Sequence, residues 1–244
     1  MRDDYRREMR CQIVHDSWHA RGFTDSYALR LDGAVVGYGS VGGVPPAPKD
    51  TVKEFYVVPP RRGSALPLFR ALLAASAAGA IDAQTNDLLL SLMLHDCAVD
   101  LTSETILFAD GLTTALRPPP GARLRRVTDA DRTRVFRHTL EPVGDWGLEQ
   151  NGELAATGGL LFHYNPPYGD IYMEVDEQHR RRGLGAYLVQ ELKRVCYESG
   201  HRPAARSRHD NEASRRTLER AGMFPCARIV RGRVPPSAVG KPRG

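Results

Sequence analysis

Three arginines, Arg180, Arg181 and Arg182, stand directly before Gly183-Leu184-Gly185 in the stretch EVDEQHRRRGLGAYLVQELKRV, and an amphipathic run follows. A loop that turns from a strand into a helix leaves the first N–H groups of that helix without intrahelical acceptors. The helix dipole makes the same end positive, so an anion is held well there. Glycine at 183 and 185 keeps side chains off those donors, and guanidinium forks match phosphate oxygens. The arrangement reads as a seat for a pyrophosphate. A solvated charge run is the plainer reading of RRR, and the glycines lift the stretch above it. Neither G-x-x-x-x-G-K-[ST] nor a G-x-G-x-x-G after a strand is present, so the common nucleotide fingerprints fail.

Other reactive side chains are less organised. His163, His179 and His209 have no H-x-x-x-H or H-E-x-x-H spacing, and no metal is expected. Cys11, Cys97, Cys196 and Cys226 are far apart with no C-x-x-C pair, which fits free thiols in a reducing compartment. Cys196 falls on an expected helix without a neighbouring base and reads as a buried thiol.

The elements that must position the arginine-glycine loop occur twice. The first half reads as a hairpin at Asp32-Gly33, a β-rich run TVKEFYVV, a helix PLFRALLAASAAGA and an ambiguous apolar run DLLLSLML. The second half begins at a Thr128-capped helix, RRVTDADRTRVFRH, and turns at Asn151-Gly152. A strand DIYMEV, the loop, a helix stopped by Gly200, a strand PAARSRH and an Asn211-capped helix follow. The proline run Leu116–Arg126 separates the halves. FYVVPPRRGSALPLFRALL lies over MEVDEQHRRRGLGAYLVQEL without a gap, pairing Val57 with Val175, Arg62 with Arg180, Ala65 with Gly183 and Pro67 with Gly185. The expected division is 1–116, 117–232 and a disordered basic tail from 233 to 244.

The pattern V-x-x-x-x-R-x-x-G-x-G (Val175, Arg180, Gly183, Gly185), with N-x-x-S-x-x-x-L-x-x-x-G-M about 25 residues further on, resembles the GCN5-related N-acetyltransferase (GNAT) superfamily, over Leu124 to about Val230. The resemblance implies an α/β (α+β) chain of two GNAT-like domains, each a mixed, mostly antiparallel central sheet flanked by helices. It implies acetyl-CoA as cosubstrate. The Val175 backbone would pair with the pantetheine arm, N–H groups of Arg180, Arg181, Arg182, Gly183, Leu184, Gly185 and Ala186 would bind the pyrophosphate, and Asn211 would contact the pantetheine. The first half resembles the same fold in degenerate form: Pro67 has no N–H to offer and Ala65 replaces the first glycine.

Acetyl transfer to an amine needs a neutral amine, a polarised thioester and a proton for the leaving thiolate. Glu174 is the candidate base, and a structural ion pair with an arginine is its competing role. Strand alternation turns Glu174 away from Ile171, on whose side several family members carry the base. Many members have a tyrosine seven residues after the asparagine, where this chain has Leu218. Ser214 matches a variant that places a serine near the sulfur, and Tyr187 is a weaker substitute. The expected activity is therefore an N-acetyltransferase acting on a small-molecule or protein amine, and the competing class is a non-catalytic acyl-CoA-binding or sensing protein.

Hydrophobic residues at 41% and charged residues at 26% fit a globular chain, and no apolar run approaches the ~20 residues that cross a bilayer. The charged first ten residues lack a signal-peptide core, so a cytoplasmic, membrane-free location is expected. A net charge of +5 favours anionic ligands, but no aromatic-and-basic platform argues for nucleic acid.

Overall fold

The computed structural model describes residues 1–9, 13, 15–132, 144–164 and 166–238. Cys11, the expected helix beyond Arg132 and residues 239–244 of the expected tail lie outside them. In chain order the elements are α1 (Arg2–Glu8), α2 (Asp16–Ala20), β1 (Thr24–Leu31), β2 (Ala34–Gly42), β3 (Thr51–Val57), α3 (Ala65–Ser76), β4 (Ala80–Gln84), α4 (Leu88–Cys97) and β5 (Val99–Asp110). They continue as β6 (Ala122–Arg126), α5 (Asp129–Arg132), β7 (Trp146–Gln150), β8 (Glu153–Leu161), β9 (Tyr168–Val175), α6 (Leu184–Glu198), β10 (Arg202–Arg208), α7 (Glu212–Arg220) and β11 (Met223–Arg233).

Two compact units form, one of Met1–Thr105 with the segment from Ala227 onward, the other of Ile106–Cys226. These boundaries differ from those expected at 116 and 232, because β5 and β11 each carry residues of both units. The expected tail also begins as ordered backbone. Ile229–Arg233 pair antiparallel with β4, and Pro236–Ala238 form a 3₁₀ turn. Backbone pairing, invisible in a Pro/Gly-rich composition, is what orders it.

In the first unit the strand order is β1-β2-β3-β4-β11-β5, with β3 and β4 parallel and the pairs β1–β2, β2–β3 and β4–β11 antiparallel. Asp32 and Gly33 both take positive φ, which closes the β1–β2 hairpin as NG/DG-type turns do. The ambiguous run DLLLSLML is helix α4, capped by the Asp87 carboxylate on the Leu90 N–H. Phe55, Val57, Phe69, Leu72 and Leu73 build the core between β3 and α3.

In the second unit the order is β11-β5-β10-β9-β8-β7-β6, with β9 and β10 parallel and joined through α6. The β6–β7, β7–β8 and β8–β9 pairs are antiparallel. Each unit is a mixed, mostly antiparallel sheet flanked by helices, as expected. Leu184, Leu188, Val189 and Leu192 of α6 are fully buried against Leu148, Ala156, Ile171 and Ala205, at about 1.5–3 kcal/mol for each large side chain. Burial pushes the Cys196 thiol up to about 11, so it is packing and no nucleophile. The buried Lys193 ammonium pairs with Asp110 and donates to the carbonyls of Leu112 and Ala221, at 2.6 and 2.8 Å, which fixes the C-terminal end of α7 against α6.

Glu54 of β3 is fully buried, with Tyr38 Oη donating to it at 2.9 Å, Arg2 Nη2 at 3.0 Å and His19 Nε2 at 3.3 Å. Burial raises its carboxyl, but the His19 and Arg2 hydrogen bonds outweigh that and hold it at about 2, below the 4.5 of an unfolded glutamate. A lowered folded-state value means stability that is complete above the unfolded value and is lost as pH falls toward the folded one. Glu54→Gln should therefore be less stable than wild type by about 3 kcal/mol at pH 7 and match it near pH 2. Urea unfolding followed by circular dichroism at both pH values measures this, and a pH-independent difference would remove the carboxylate as its cause.

Candidate active site

Strands β9 and β10 share register only from Tyr168↔Arg202 to Ile171↔Ala205, although β9 runs on to Val175 and β10 to Arg208. Beyond Ile171 the two strands part. On its other edge β9 stays paired with β8 through Val175↔Ala156, and the Asp176 N–H bonds Ala155 O at 2.9 Å. Antiparallel alternation then directs the backbone groups of Met173 and Val175 away from β8, into the gap. Carbonyl and amide groups of a strand left unpaired in this way are ready to pair with an extended ligand.

The turn after β9 is built locally. Asp176 accepts from the Gln178 N–H and caps a 3₁₀ turn at Glu177–His179. Arg180 is extended, Arg181 takes φ 64° and Gly183 takes φ 80° as the N-cap of α6. No side chain caps α6. Its first amides are therefore left to solvent or to an anion, at the positive end of a 15-residue helix. Arg180, Arg181 and Arg182 are exposed at the rim. Arg180 also bends back, and its Nε donates to the Val175 carbonyl at 3.2 Å. That leaves the Val175 N–H as the main-chain group for a ligand at this point.

The two glycines do different work from each other. A Cβ on Gly183 would meet nothing within 4 Å, so its requirement is the left-handed backbone. A Cβ on Gly185 would lie 3.1 Å from Thr217 Cγ2, 3.3 Å from Met173 Cε and 3.4 Å from Val175 Cγ2. Gly185 thus lets α6 settle on β9 and α7, and the expectation that it clears space for a phosphate is corrected. Asn211 is the N-cap of α7, its Oδ1 accepting from the Ser214 N–H at 3.0 Å, with its NH2 still available as donor.

These contacts also sort the two faces of β9. Met173 and Val175 point at α6, and Ile171 is in the core with Leu184 and Leu188. Glu174 and Tyr172 alternate onto the opposite face. A base on the Ile171 side would be buried under α6, whereas Glu174 is partly exposed. Asp170 shares the Glu174 face and pairs with Arg206 at 2.7 Å, and Arg206 Nη2 also donates to Tyr164 Oη at 3.0 Å. The sequence reading missed this trio, since residues 36 and 42 positions apart meet only once β9 and β10 pair. Leu218 is buried in the core. Tyr187 packs against the same cluster, and its phenol is raised by burial and by Glu191. Ser214 is partly exposed in the first turn of α7. His179 sits 3.3 Å from Asp176 and 3.7 Å from Glu153. Among the described residues no group of three or more His, Cys, Asp or Glu side chains is arranged to hold a metal, and no helix is long and apolar enough to cross a membrane.

Residues 111–223 match the model of the Acetyltransferase (GNAT) family, and the second unit is accordingly a GNAT domain, a fold that supports acyl transfer. Among solved structures, a GNAT-family acetyltransferase from Colwellia psychrerythraea superposes with a TM-score of 0.72 at 16% identity, over 96% of this chain and 95% of that one. A tandem GNAT protein from the clavulanic acid biosynthesis pathway gives 0.58 at 18% identity, over 87% and 83%. A GCN5-related N-acetyltransferase from Sphaerobacter thermophilus gives 0.53 at 19%, over 87% and 81%. At these identities the likeness is one of fold. No curated protein matches the sequence.

Gly183→Ala should cost about 1 kcal/mol through its positive φ, and Gly185→Ala a similar amount through contact with Thr217. Adding Thr217→Ser, which removes the crowding methyl, should restore most of the loss in Gly185→Ala and none in Gly183→Ala. Urea melts of the four variants read this out; equal rescue of both would refute the separate roles.

Proposed function

We propose that this chain is an N-acetyltransferase that moves the acetyl group of acetyl-CoA to a primary amine, with one working site in the second unit. The observation that carries the reading is the end of β9–β10 pairing at Ile171↔Ala205, immediately ahead of the uncapped N-terminus of α6. A pantetheine arm is an extended chain of amides that fits a gap between strands, and a pyrophosphate fits a helix N-terminus. The Val175 N–H and the Asn211 NH2 are donors for the amide carbonyls of the arm. The N–H groups of Arg181–Ala186 and the guanidinium groups of Arg180, Arg181 and Arg182 serve the phosphates. The donor set and its charge fit the group.

The acyl thioester supplies an activated carbonyl. The chain's part is to deliver a neutral amine and to satisfy the thiolate. Glu174, on the partly exposed face of β9, takes the proton from the acceptor ammonium, directly or through a water. Ser214, in the first turn of α7 beside the Asn211 cap, donates a hydrogen bond or proton to the sulfur that leaves. The 26% share of charged residues supports a cytoplasmic setting. The acceptor is a small-molecule or protein amine. The burial of Leu218, where many relatives place a tyrosine, favours a second reading: a domain that binds acyl-CoA and senses it without turnover.

Calorimetry with acetyl-CoA and thiol release with a panel of amines test both. Gly183→Asp, which sets a carboxylate at the helix N-terminus, should weaken acetyl-CoA binding at least a hundred-fold. Tight binding with no thiol released for any amine would support the sensing reading over the enzyme.

Glu174→Gln should lower turnover mainly at low pH, where more of the amine is protonated, and Ser214→Ala should lower it about ten-fold at all pH values. An unshifted pH–rate profile removes Glu174 as the base, and full activity in Ser214→Ala ends its role.

A further inference from the structure

The first unit repeats the fittings of the second. Arg62 Nε donates to the Val57 carbonyl at 3.1 Å, as Arg180 does to Val175 at 3.2 Å. Parallel pairing of β3 with β4 stops at Val52↔Ile81, although β3 continues to Val57. Asp87 caps the helix after β4 by accepting from the Leu90 N–H at 3.0 Å, just as Asn211 caps the helix after β10 by accepting from Ser214 at 3.0 Å. The phosphate seat is different. The Ala65 N–H is spent on the Arg62 carbonyl, and Pro67 has none. Asn211 can donate from its NH2; the Asp87 carboxylate can only accept while ionised.

Helix α1 reaches Arg62, Asp87 and the part of β3 beyond its pairing with β4. Glu8 pairs with Arg62 at 2.7 Å. Tyr5, buried and edge-on to Tyr38, donates its Oη to Asp87 Oδ2 at 3.0 Å. Arg2 reaches Glu54 on β3, with Asp16 holding its other amino group at 2.5 Å. Arg2, Tyr5 and Glu8 are three apart, one stripe on the helix. Their partners run from the turn after β3, past the cap of α4, to the strand where pairing has ended.

We propose that the groove of the first unit is a peptide-binding site whose ligand is the chain's own segment Arg2–Glu8. The comparison with a cofactor path rests on the function proposed for the second unit; the contacts do not. Glu8 supplies at Arg62 the negative charge a phosphate would bring. Tyr5 supplies the donor that matches an acceptor-only aspartate. Arg2 supplies the cation that buried Glu54 requires, since an unpaired carboxylate there would be strongly destabilising. The partner this surface fits is a helical segment with Arg, Tyr and Glu at i, i+3 and i+6.

The test uses the full chain and a fluorescent synthetic peptide of residues 1–9. Arg2→Ala/Glu8→Ala should loosen the tethered helix and capture the peptide, seen by anisotropy, at least ten-fold more tightly than wild type. A Tyr5→Phe peptide should bind the same variant at least five-fold more weakly than the native peptide. Equal capture by variant and wild type, or no capture by the variant, would overturn the proposal. Should the double variant fail to fold, Glu8→Ala alone loses only an exposed contact. Hydrogen exchange of its α1 amides should speed up several-fold while β3 is unchanged, and an unaltered α1 rate also overturns the proposal. Acetyl-CoA titrated into the same proteins should bind at one equivalent per chain throughout. No binding counts against the function of the second unit alone, and a second equivalent in the loosened variant counts against a peptide site in the first.

Discussion

Parallel strands β9 and β10 are held together at their N-terminal ends by four register pairs and are free of each other beyond Ile171 and Ala205. Much of the second unit can be derived from that early stop. Strand β9 keeps β8 on one edge, so its remaining unpaired groups are confined to the other. The chain then has to leave β9, turn and lie back across the sheet as α6, which brings the helix N-terminus to the open end of the gap. Left-handed backbone at Arg181 and Gly183 makes the turn tight, and the missing Cβ of Gly185 lets α6 lie close to Met173, Val175 and Thr217. Main-chain donors and a positive helix end thereby converge without any side chain having to be placed precisely against a ligand.

The same early stop occurs between β3 and β4, yet the consequences diverge because the neighbours do. In the first unit the helix that follows starts with an amide already bonded and a proline, and a carboxylate stands where the second unit has an amide side chain. Helix α1 then meets the arginine, the aspartate and the buried glutamate together. One backbone framework thus carries two electrostatic outcomes: exposed arginines at the turn of the second unit, and an arginine neutralised from within the unit in the first.

Local signals in the sequence were legible where the physics is local. The Asp32-Gly33 and Asn151-Gly152 turns, the Thr128 and Asn211 caps and the stop of α6 before Gly200 all depend on residues a few positions apart, and all are in place. The ungapped alignment pairs Arg62 with Arg180 and Val57 with Val175, and in each half the arginine donates to the valine carbonyl. Long-range facts were hidden. Nothing local tells that β11 crosses into the first unit, that Asp170, Arg206 and Tyr164 meet, or that Arg2 reaches Glu54 across 52 positions. Composition misled at Arg233 and Pro236–Ala238, where proline and glycine suggested disorder and a strand end and a 3₁₀ turn are found.

Amide hydrogen exchange of the full chain with and without acetyl-CoA reads the gap and its turn residue by residue. If the parted strands and uncapped helix of the second unit are the cofactor seat, protection should rise at Val175 and across 181–186 and stay unchanged at Val57 and across 63–66. Protection of the first-unit turn instead, or none at Val175 under saturating acetyl-CoA, would contradict that seat.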